Sequence, residues 1–375
     1  MKARIGALEQ RVRKAGAWLD PQVAVEYSNM PIDAWRPGTH PMAGIQFKLQ
    51  QTFFFPGKVG LREDVGRGRV RETRAALDEV KLQLSALVKR AYYKLVLVRH
   101  LRVVTEQHIK LVDQFTDAVR IKYVVGKAGQ QDYLRLKVLA KKLRDDLKNF
   151  ARDEHALSAT IDAALHRPAT PIVTPGALAP VAAPKVTAAR LAERANQHRP
   201  DLRQRSEVSR TRRIAARSAA REGYPDFTAW LGYRLRIESG ADSGTDFIGL
   251  GISVPIPFWY DRRAGSDRRE NEALARAALA GRAAALDRIR GALGRELARW
   301  RRAYQKALSY EKSLMPLAHK ALDATFASYQ VDRADFAALY QAELQLLDFE
   351  RVIRRARVAT WIARTNVEAL VGKSL

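Results

Sequence analysis

The chain has 375 residues, 47% of them apolar, so it can bury a large core and does not have the composition of a disordered segment. It has no cysteine, which excludes disulfides, thiolate metal sites and a cysteine nucleophile. Its 66 Lys and Arg against 40 Asp and Glu leave a net charge of +26. That invites a polyanionic partner, but the basic residues are spread along the whole chain, as on solvated helix faces, with the densest run from Arg199 to Arg221.

The opening, MKARIGALEQRVRKAGAW, reads as the end of an amphipathic helix already under way. It lacks the apolar core of an export signal, so a missing true N-terminus is expected. Alternating strands follow at about 22–30 and 43–52, joined by the proline-rich SNMPIDAWRPGTHPMA. A very long helix is predicted over about 59–122. Its apolar residues Leu77, Val80, Leu84, Leu87, Ala91, Leu95, Val98 and Leu101 recur every three or four positions, a coiled-coil seam. At 1.5 Å per residue it would reach roughly 95 Å, the length of a rod or the wall of a tube. After a break comes a helix at about 131–165, which closes a first structural repeat at residue 165. Residues 166–186 hold HRPATPIVTPGALAPVAAPK, whose five prolines make an extended linker. The second repeat, 187–375, runs in the same order: helix 187–222, strands 226–237 and 247–256, long helix 262–329 and helix 334–371. In that long helix Leu286, Ile289, Leu293, Leu297, Trp300 and Tyr304 form one stripe. No run of about 18 apolar residues occurs, so no transmembrane helix is predicted.

The duplication is visible residue by residue. Pro21 and Pro225 lie 204 apart, and each separates an Ala/Arg-rich helix from an alternating strand. Ile45, Phe47 and Leu49 match Leu250, Ile252 and Val254 at an offset of 205, as Lys58 matches Arg263. Tyr123 and Tyr329 lie 206 apart, each just before a helical break.

The strand beginning at Phe227 places Phe227, Ala229, Leu231, Tyr233, Leu235 and Ile237 on one face, with Thr228, Trp230, Gly232, Arg234 and Arg236 on the other. Its neighbour, reached through ESGADSGTD, alternates in the same way with Gly249, Gly251, Ser253 and Pro255 as the small or polar set. Nine to eleven residues cross a bilayer at a tilt of about 45°. A soluble sheet with one face on a core gives the same alternation. Four strands cannot close a barrel, however, whereas three copies would give twelve strands and leave no edge.

These features resemble the outer-membrane efflux protein family, of which TolC is the namesake, over nearly the whole chain. QQTFFFPGKVGLR (50–62) is similar to the family's strand-to-helix turn, with Pro56, Gly57 and Lys58 its most telling part. SVPIPFWYDRRAG (253–265), with Arg262 and Arg263, resembles the matching turn of the second repeat. Arg199-Pro200-Asp201-Leu202 and the closing Asn366-Val367-Glu368-Ala369-Leu370-Val371-Gly372 are similar to family motifs at the same places. The turn pattern also resembles the heavy-metal branch. The resemblance implies a mainly α fold with long coiled-coil helices in an α-barrel, and four strands per protomer in a trimeric transmembrane β-barrel. It further implies a homotrimer in the outer membrane of a Gram-negative bacterium, set in lipid, with its helices reaching into the periplasm. A periplasmic adaptor protein and an inner-membrane pump of the RND type would be its partners. The duct would passively conduct drugs or metal ions, with no catalytic residue and no cofactor.

At the inner tip, Tyr329 falls where the family has a gate tyrosine. Asp332 stands where the family commonly has glycine, while Gly126 keeps it in the first repeat. Acidic gate positions are filled by Ala338 and Gln341, but Asp132 keeps one in the first repeat. Tyr329, Asp332, Arg333, Asp335 and Asp132 are therefore gate candidates, since like-charged rings from three protomers repel unless paired. A helix N-cap is the plain alternative for Asp332 or Asp335. Val125, Gly126 and Lys127 are candidate adaptor contacts, with a glycine C-cap the plain alternative for Gly126. Trp35, Trp259 and Tyr260 suit an aromatic belt. The seven histidines, His100 and His108 among them, show no metal-ligand spacing, and no phosphate loop or hydrolase motif occurs. Two rivals remain. A soluble basic coiled coil binding nucleic acid would explain the charge but neither the strands nor the duplication. A periplasmic adaptor would carry one hairpin with lipoyl-like segments instead of two equivalent copies.

Overall fold

The computed structural model describes residues 1–33, 40, 42–176, 178–180, 182–240 and 243–375. Trp35 lies outside the described residues. The elements are α1 (Lys2–Ala15), β1 (Gln22–Ser28), β2 (Gly44–Phe53), α2 (Lys58–Val124), α3 (Gln130–Ala164), α4 (Ala188–His198), α5 (Pro200–Glu222), β3 (Phe227–Arg236), β4 (Phe247–Ser253), α6 (Ser266–Ser309), α7 (Met315–Gln330) and α8 (Phe336–Val371).

Some boundaries differ from the sequence expectation: β1 and β4 end at Ser28 and Ser253 rather than at about 30 and 256, and two interruptions of expected helices stand at prolines. The helix expected over 187–222 divides between α4 and α5 because Arg199, which precedes Pro200, is extended at φ −69°, ψ 119°. The long helix of the second repeat contains two π-helical turns, Asp261–Gly265 before α6 and Tyr310–Leu314 before α7. The second stands directly before Met315-Pro316, where the ring removes an N–H and the ladder must widen.

The chain forms two compact units. The first, residues 1–78 with 200–285, carries an antiparallel sheet in the order β1-β2-β3-β4. Val23 pairs with Leu49, Leu49 with Leu231 and Leu231 with Leu250, so one row of like side chains crosses the whole sheet. The pairing itself repeats. Tyr27 opposite Ile45 and Ala24 opposite Lys48 in the first hairpin become, on moving β1 by 204 and β2 by 205, Leu231 opposite Leu250 and Thr228 opposite Ser253 in the second. Below the sheet, α2 and α5 approach closely at Gly68, where an added Cβ would come within 2.4 Å of the Thr211 hydroxyl.

The second unit, residues 79–199 with 286–375, is helical. Its core joins Val104, Val112 and Phe115 of α2 with Leu136 and Leu143 of α3 and Leu339 of α8. The α2 seam is buried at Ala91, Leu95, Val98 and Leu101, whereas Val80, Leu84 and Leu87 stay 39–49% exposed on the single chain. The proline-rich linker is more than a spacer. Arg99 donates to the Ile172 carbonyl at 2.5 Å and to the Thr174 hydroxyl at 2.9 Å, and Trp361 donates to the Ala179 carbonyl at 3.1 Å. Leu178 is buried with Val96 and Val358.

Candidate functional site

The two faces of the sheet differ in chemistry because successive side chains point to opposite sides. On one face Val23, Val25, Phe47, Leu49, Leu231, Leu250 and Ile252 are between 45% and 79% exposed. Exposed apolar side chains this dense on one surface are unusual for a protein facing water on all sides. The opposite face carries Gln22, Gln50, Lys48, Gln46 and Arg234, with Gln50 donating to Gln22 at 2.5 Å and Arg234 to Gln46 at 3.2 Å. Among the described residues the outer edges of β1 and β4 carry no strand partner. No helix is long and apolar enough to cross a membrane among those residues.

At the strand-to-helix turn, Gly57 adopts φ +87°, a left-handed conformation that glycine enters without strain. Pro56 and Gly57 reverse the chain so that Lys58 opens α2 while 2% exposed, its ammonium 2.8 Å from Asp226 and 3.6 Å from Glu222. Asp226 also accepts the Phe55 N–H at 2.8 Å, and Arg62 holds Glu222 by two bonds of 2.8 and 2.9 Å. In the second repeat Arg262 and Arg263 are exposed, as are Trp259 and Tyr260 beside them.

The helical tip repeats in the same detail. Tyr123 and Tyr329 stand in the last turn of their helices, and each break is closed by a left-handed residue, Gly126 at φ +73° and Asp332 at φ +61°. In both, the next N–H reaches back five residues: Lys127 to the Lys122 carbonyl at 2.7 Å and Arg333 to the Ser328 carbonyl at 2.8 Å. The following helices start at N-caps Gly129 and Asp335, and Asp335 accepts the Ala338 N–H at 2.8 Å. Asp335 is therefore the N-cap of α8. Asp332 is not the N-cap but the left-handed residue that closes α7, and its carboxylate is not used in capping α8.

That carboxylate joins the two turns. Lys122 donates to Asp332 and, at 2.5 Å, to the Tyr329 carbonyl, while its ammonium stands 4.6 Å from the Tyr329 ring centre. Lys127 reaches the other Asp332 oxygen at 2.9 Å. The two lysines hold the Asp332 carboxyl below its ordinary pKa. Tyr329 is buried, and burial, followed by the charges of Asp132 and Asp332, raises its phenol. Arg333 is exposed and stands outside the cluster. Val125 is 63% exposed, and nothing lies within 4 Å of where a Gly126 Cβ would point.

One buried group was not anticipated from the sequence. His108, 1% exposed on α2, donates from Nδ1 to the Glu343 carboxylate of α8 at 2.5 Å and lies 3.7 Å from Glu350. Burial alone would lower its pKa, but the hydrogen bonds and charges of the two carboxylates prevail and raise it to about 9. The partners stand 235 residues apart, so no local spacing could have revealed them. Among the described residues no group of three or more His, Asp or Glu could hold a metal ion.

Sequence comparison matches residues 1–165 to the family described as outer membrane efflux protein. No curated protein matches the chain by sequence. Solved structures match it over its full length. CusC, described as forming a transmembrane channel, has TM-score 0.80 at 14% identity, covering 100% of this chain and 88% of that one. The outer membrane protein VceC of Vibrio cholerae gives 0.75 at 16%, with 100% and 92% covered. The MtrE outer membrane channel of Neisseria gonorrhoeae, in its open state, gives 0.75 at 15%, with 100% and 85% covered. The sequence match to that family thus covers residues 1–165, and over the whole chain the likeness to these structures is one of fold, long helices with a four-stranded antiparallel sheet.

Proposed function

We propose that this chain, which has the fold of the TolC-like outer-membrane channels, is one protomer of a homotrimeric efflux duct that passively conducts drugs or metal ions. The observation that carries the reading is the sheet: one face apolar and exposed, the other polar, and both outer edges without a strand partner among the described residues. Lipid satisfies the first face and water in a lumen the second. Closure with two further copies satisfies the edges, since no open sheet edge persists in hydrocarbon. The helical units of three copies would form the α-barrel reaching into the periplasm. The energy would come from an inner-membrane pump, of the RND type by resemblance, coupled through a periplasmic adaptor.

In this reading residues 1–165 and 187–375 are two repeats of one unit joined by the 166–186 linker. Pro56, Gly57 and Lys58, with Arg262 and Arg263, are the turns between barrel and helices. Tyr329, Asp332 and Asp132 form the gate, Asp335 supports it as an N-cap, and Arg333 contributes exposed positive charge. Val125, Gly126 and Lys127 present an open turn to the adaptor. The nucleic-acid reading gives the exposed apolar face no role.

Planar-bilayer recording of the detergent-extracted protein tests the proposal. Discrete, ohmic conductance from a particle of three chain masses is expected; a monodisperse monomer without conductance would remove the reading.

A further inference from the structure

The polar face of the sheet carries an unbalanced set of charges. Successive residues alternate between the two faces, so the strand pairings fix which side chains share it. On the central strands Gln46, Lys48 and Arg234 are half-buried, whereas Phe47, Leu49 and Leu231 of the apolar face are 45–53% exposed. The sheet is therefore curled with its polar face on the concave side, as the wall of a barrel is.

Among the described residues the charged side chains of that face are Glu26, Lys48, Arg234 and Arg236. Arg236 faces a carboxylate, since Asp246 accepts its backbone N–H at 2.9 Å and interacts with its charge. Lys48 and Arg234 are held by no carboxylate. The Lys48 ammonium stands 5.1 Å from the centre of the Trp230 ring, and Arg234 donates to the Gln46 amide oxygen at 3.2 Å. Gln46 pairs with Arg234 and Lys48 with Gly232, so the two cations are diagonal neighbours on adjacent strands, where an opposite charge would stabilise and a like one does not. The other members of the Lys48 row are Ala24, Gly232 and Gly249, so no large side chain along it covers the ammonium. Glu26, across Gln46 on β1, is the one acid of the face. Beyond the Arg236–Asp246 pair, two cations thus stand against one carboxylate.

In a closed barrel this excess acts on the whole bore. Twelve strands about 4.8 Å apart and tilted by about 40° make a wall of radius roughly 12 Å, into which the long side chains project. The screening length at physiological salt is about 8 Å, so the axis lies within reach of the field of three such clusters. The helical tip does not supply an opposing ring through Asp332, whose carboxylate is matched by Lys122 and Lys127.

We infer that the lumen of the barrel selects for anions, with Lys48 and Arg234 as its specificity-determining residues, and that the solutes carried are organic anions rather than metal cations. Trp230 beside Lys48 offers such a solute an apolar ring face next to a positive charge. The inference rests on the duct reading and narrows its solute class.

Reversal potentials test it. The full chain, produced behind an export signal and extracted in detergent, is recorded in planar bilayers under a potassium chloride gradient. Benzenesulfonate then replaces chloride, or tetraethylammonium replaces potassium. The parent is expected to prefer chloride severalfold over potassium and to pass benzenesulfonate more readily than tetraethylammonium. Lys48→Gln combined with Arg234→Gln leaves Glu26 alone and should abolish or invert the preference. Glu26→Gln should strengthen it, and because Glu26 is exposed this variant decides the matter even where the double variant fails to assemble. A parent that prefers potassium, or a preference that these substitutions leave unmoved, overturns the inference while leaving the duct. Passage of chloride with exclusion of benzenesulfonate overturns the organic-anion class. A particle without conductance removes inference and duct together.

Discussion

Trp230 lies against Gly251 so closely that a Cβ on Gly251 would come within 2.8 Å of the indole. The two residues are cross-strand partners on the polar face, and Gly249 beside them leaves 3.3 Å. Glycine inside a strand weakens it unless another group needs the room, and here the indole needs it. Lys48 completes the arrangement, its ammonium 5.1 Å from the ring centre. Gly251→Val is expected to push Trp230 aside and destabilise the sheet by about 1–3 kcal/mol, as overpacking does. Gly249→Ala should do less. The melting temperature of the detergent-solubilised protein reads both. Adding Trp230→Ala to Gly251→Val should restore most of the loss; if it does not, the indole is not the cause.

His108 between Glu343 and Glu350 sets an alkaline limit on stability. With its pKa raised from 6.5 to about 9, the imidazolium stabilises the fold fully below 6.5, and the contribution is lost as pH rises through about 9. Glu350 works in the other direction. Burial opposes its charge, but the hydrogen bond and charge of His108, with His319 and Arg354 nearby, keep its carboxyl below the ordinary 4.5. Its contribution is therefore present above 4.5 and lost on acidification below it. The melting temperature should be highest between about pH 5 and 6.5 and fall between about pH 6.5 and 9, and His108→Gln should remove that fall. Because it strands two carboxylates, that variant should cost about 3–5 kcal/mol at neutral pH. An unchanged alkaline profile in the variant would show that another group titrates there.

Much of the fold was legible because its patterns are local. Alternation marked β1 to β4, three-and-four spacing marked α2 and α6, and the offsets near 205 tied the halves together. What escaped was whatever depends on distant contacts or on a choice between equals. Asp332 and Asp335 are both acidic residues at one break, and sequence alone does not say which caps α8. The structure gives the cap to Asp335 and turns Asp332 toward two lysines. Leu178 sits in a stretch of prolines that reads as a solvated linker, yet it is 8% exposed because Val96 and Val358 converge on it. The exposed Val80, Leu84 and Leu87 fit the seam pattern but find no cover in one chain, which a periodicity argument does not distinguish from burial.

Lys58 illustrates how a familiar turn acquires its stability. The motif predicts the reversal at Gly57, but the partners of Lys58, Glu222 and Asp226, come from the other repeat. Lys58→Met removes a buried ammonium and leaves Asp226 with only the Phe55 N–H. A loss of about 3 kcal/mol is expected, since one partner of a buried pair is stranded. Combining it with Asp226→Asn should recover part of that loss, with a coupling of about 1–3 kcal/mol in a double-mutant cycle of denaturant midpoints. Strict additivity would mean the two side chains do not act as a pair.

Asp332 allows the gate and the plain helix turn to be told apart. Its backbone is left-handed at φ +61°, and its equivalent in the first repeat, Gly126, adopts φ +73° at no steric cost. Asp332→Gly therefore favours the local backbone while removing the carboxylate that Lys122 and Lys127 share. If the turn is only structural, the variant will be at least as stable as the parent and electrically identical to it. If the clamp holds the tip shut, the variant will be as stable but will open more often, seen as a severalfold rise in open probability in planar bilayers. The pH response supplies a second readout with a defined sign. The lysines hold the Asp332 carboxyl below its ordinary 3.8, so the clamp persists at neutral and mildly acid pH and is lost only as pH falls below that value. The parent channel should accordingly open on strong acidification of the bath facing the tip, and Asp332→Gly should lose that response. A parent channel indifferent to pH down to 3, with a variant of unchanged open probability, would leave Asp332 as a helix terminus and nothing more.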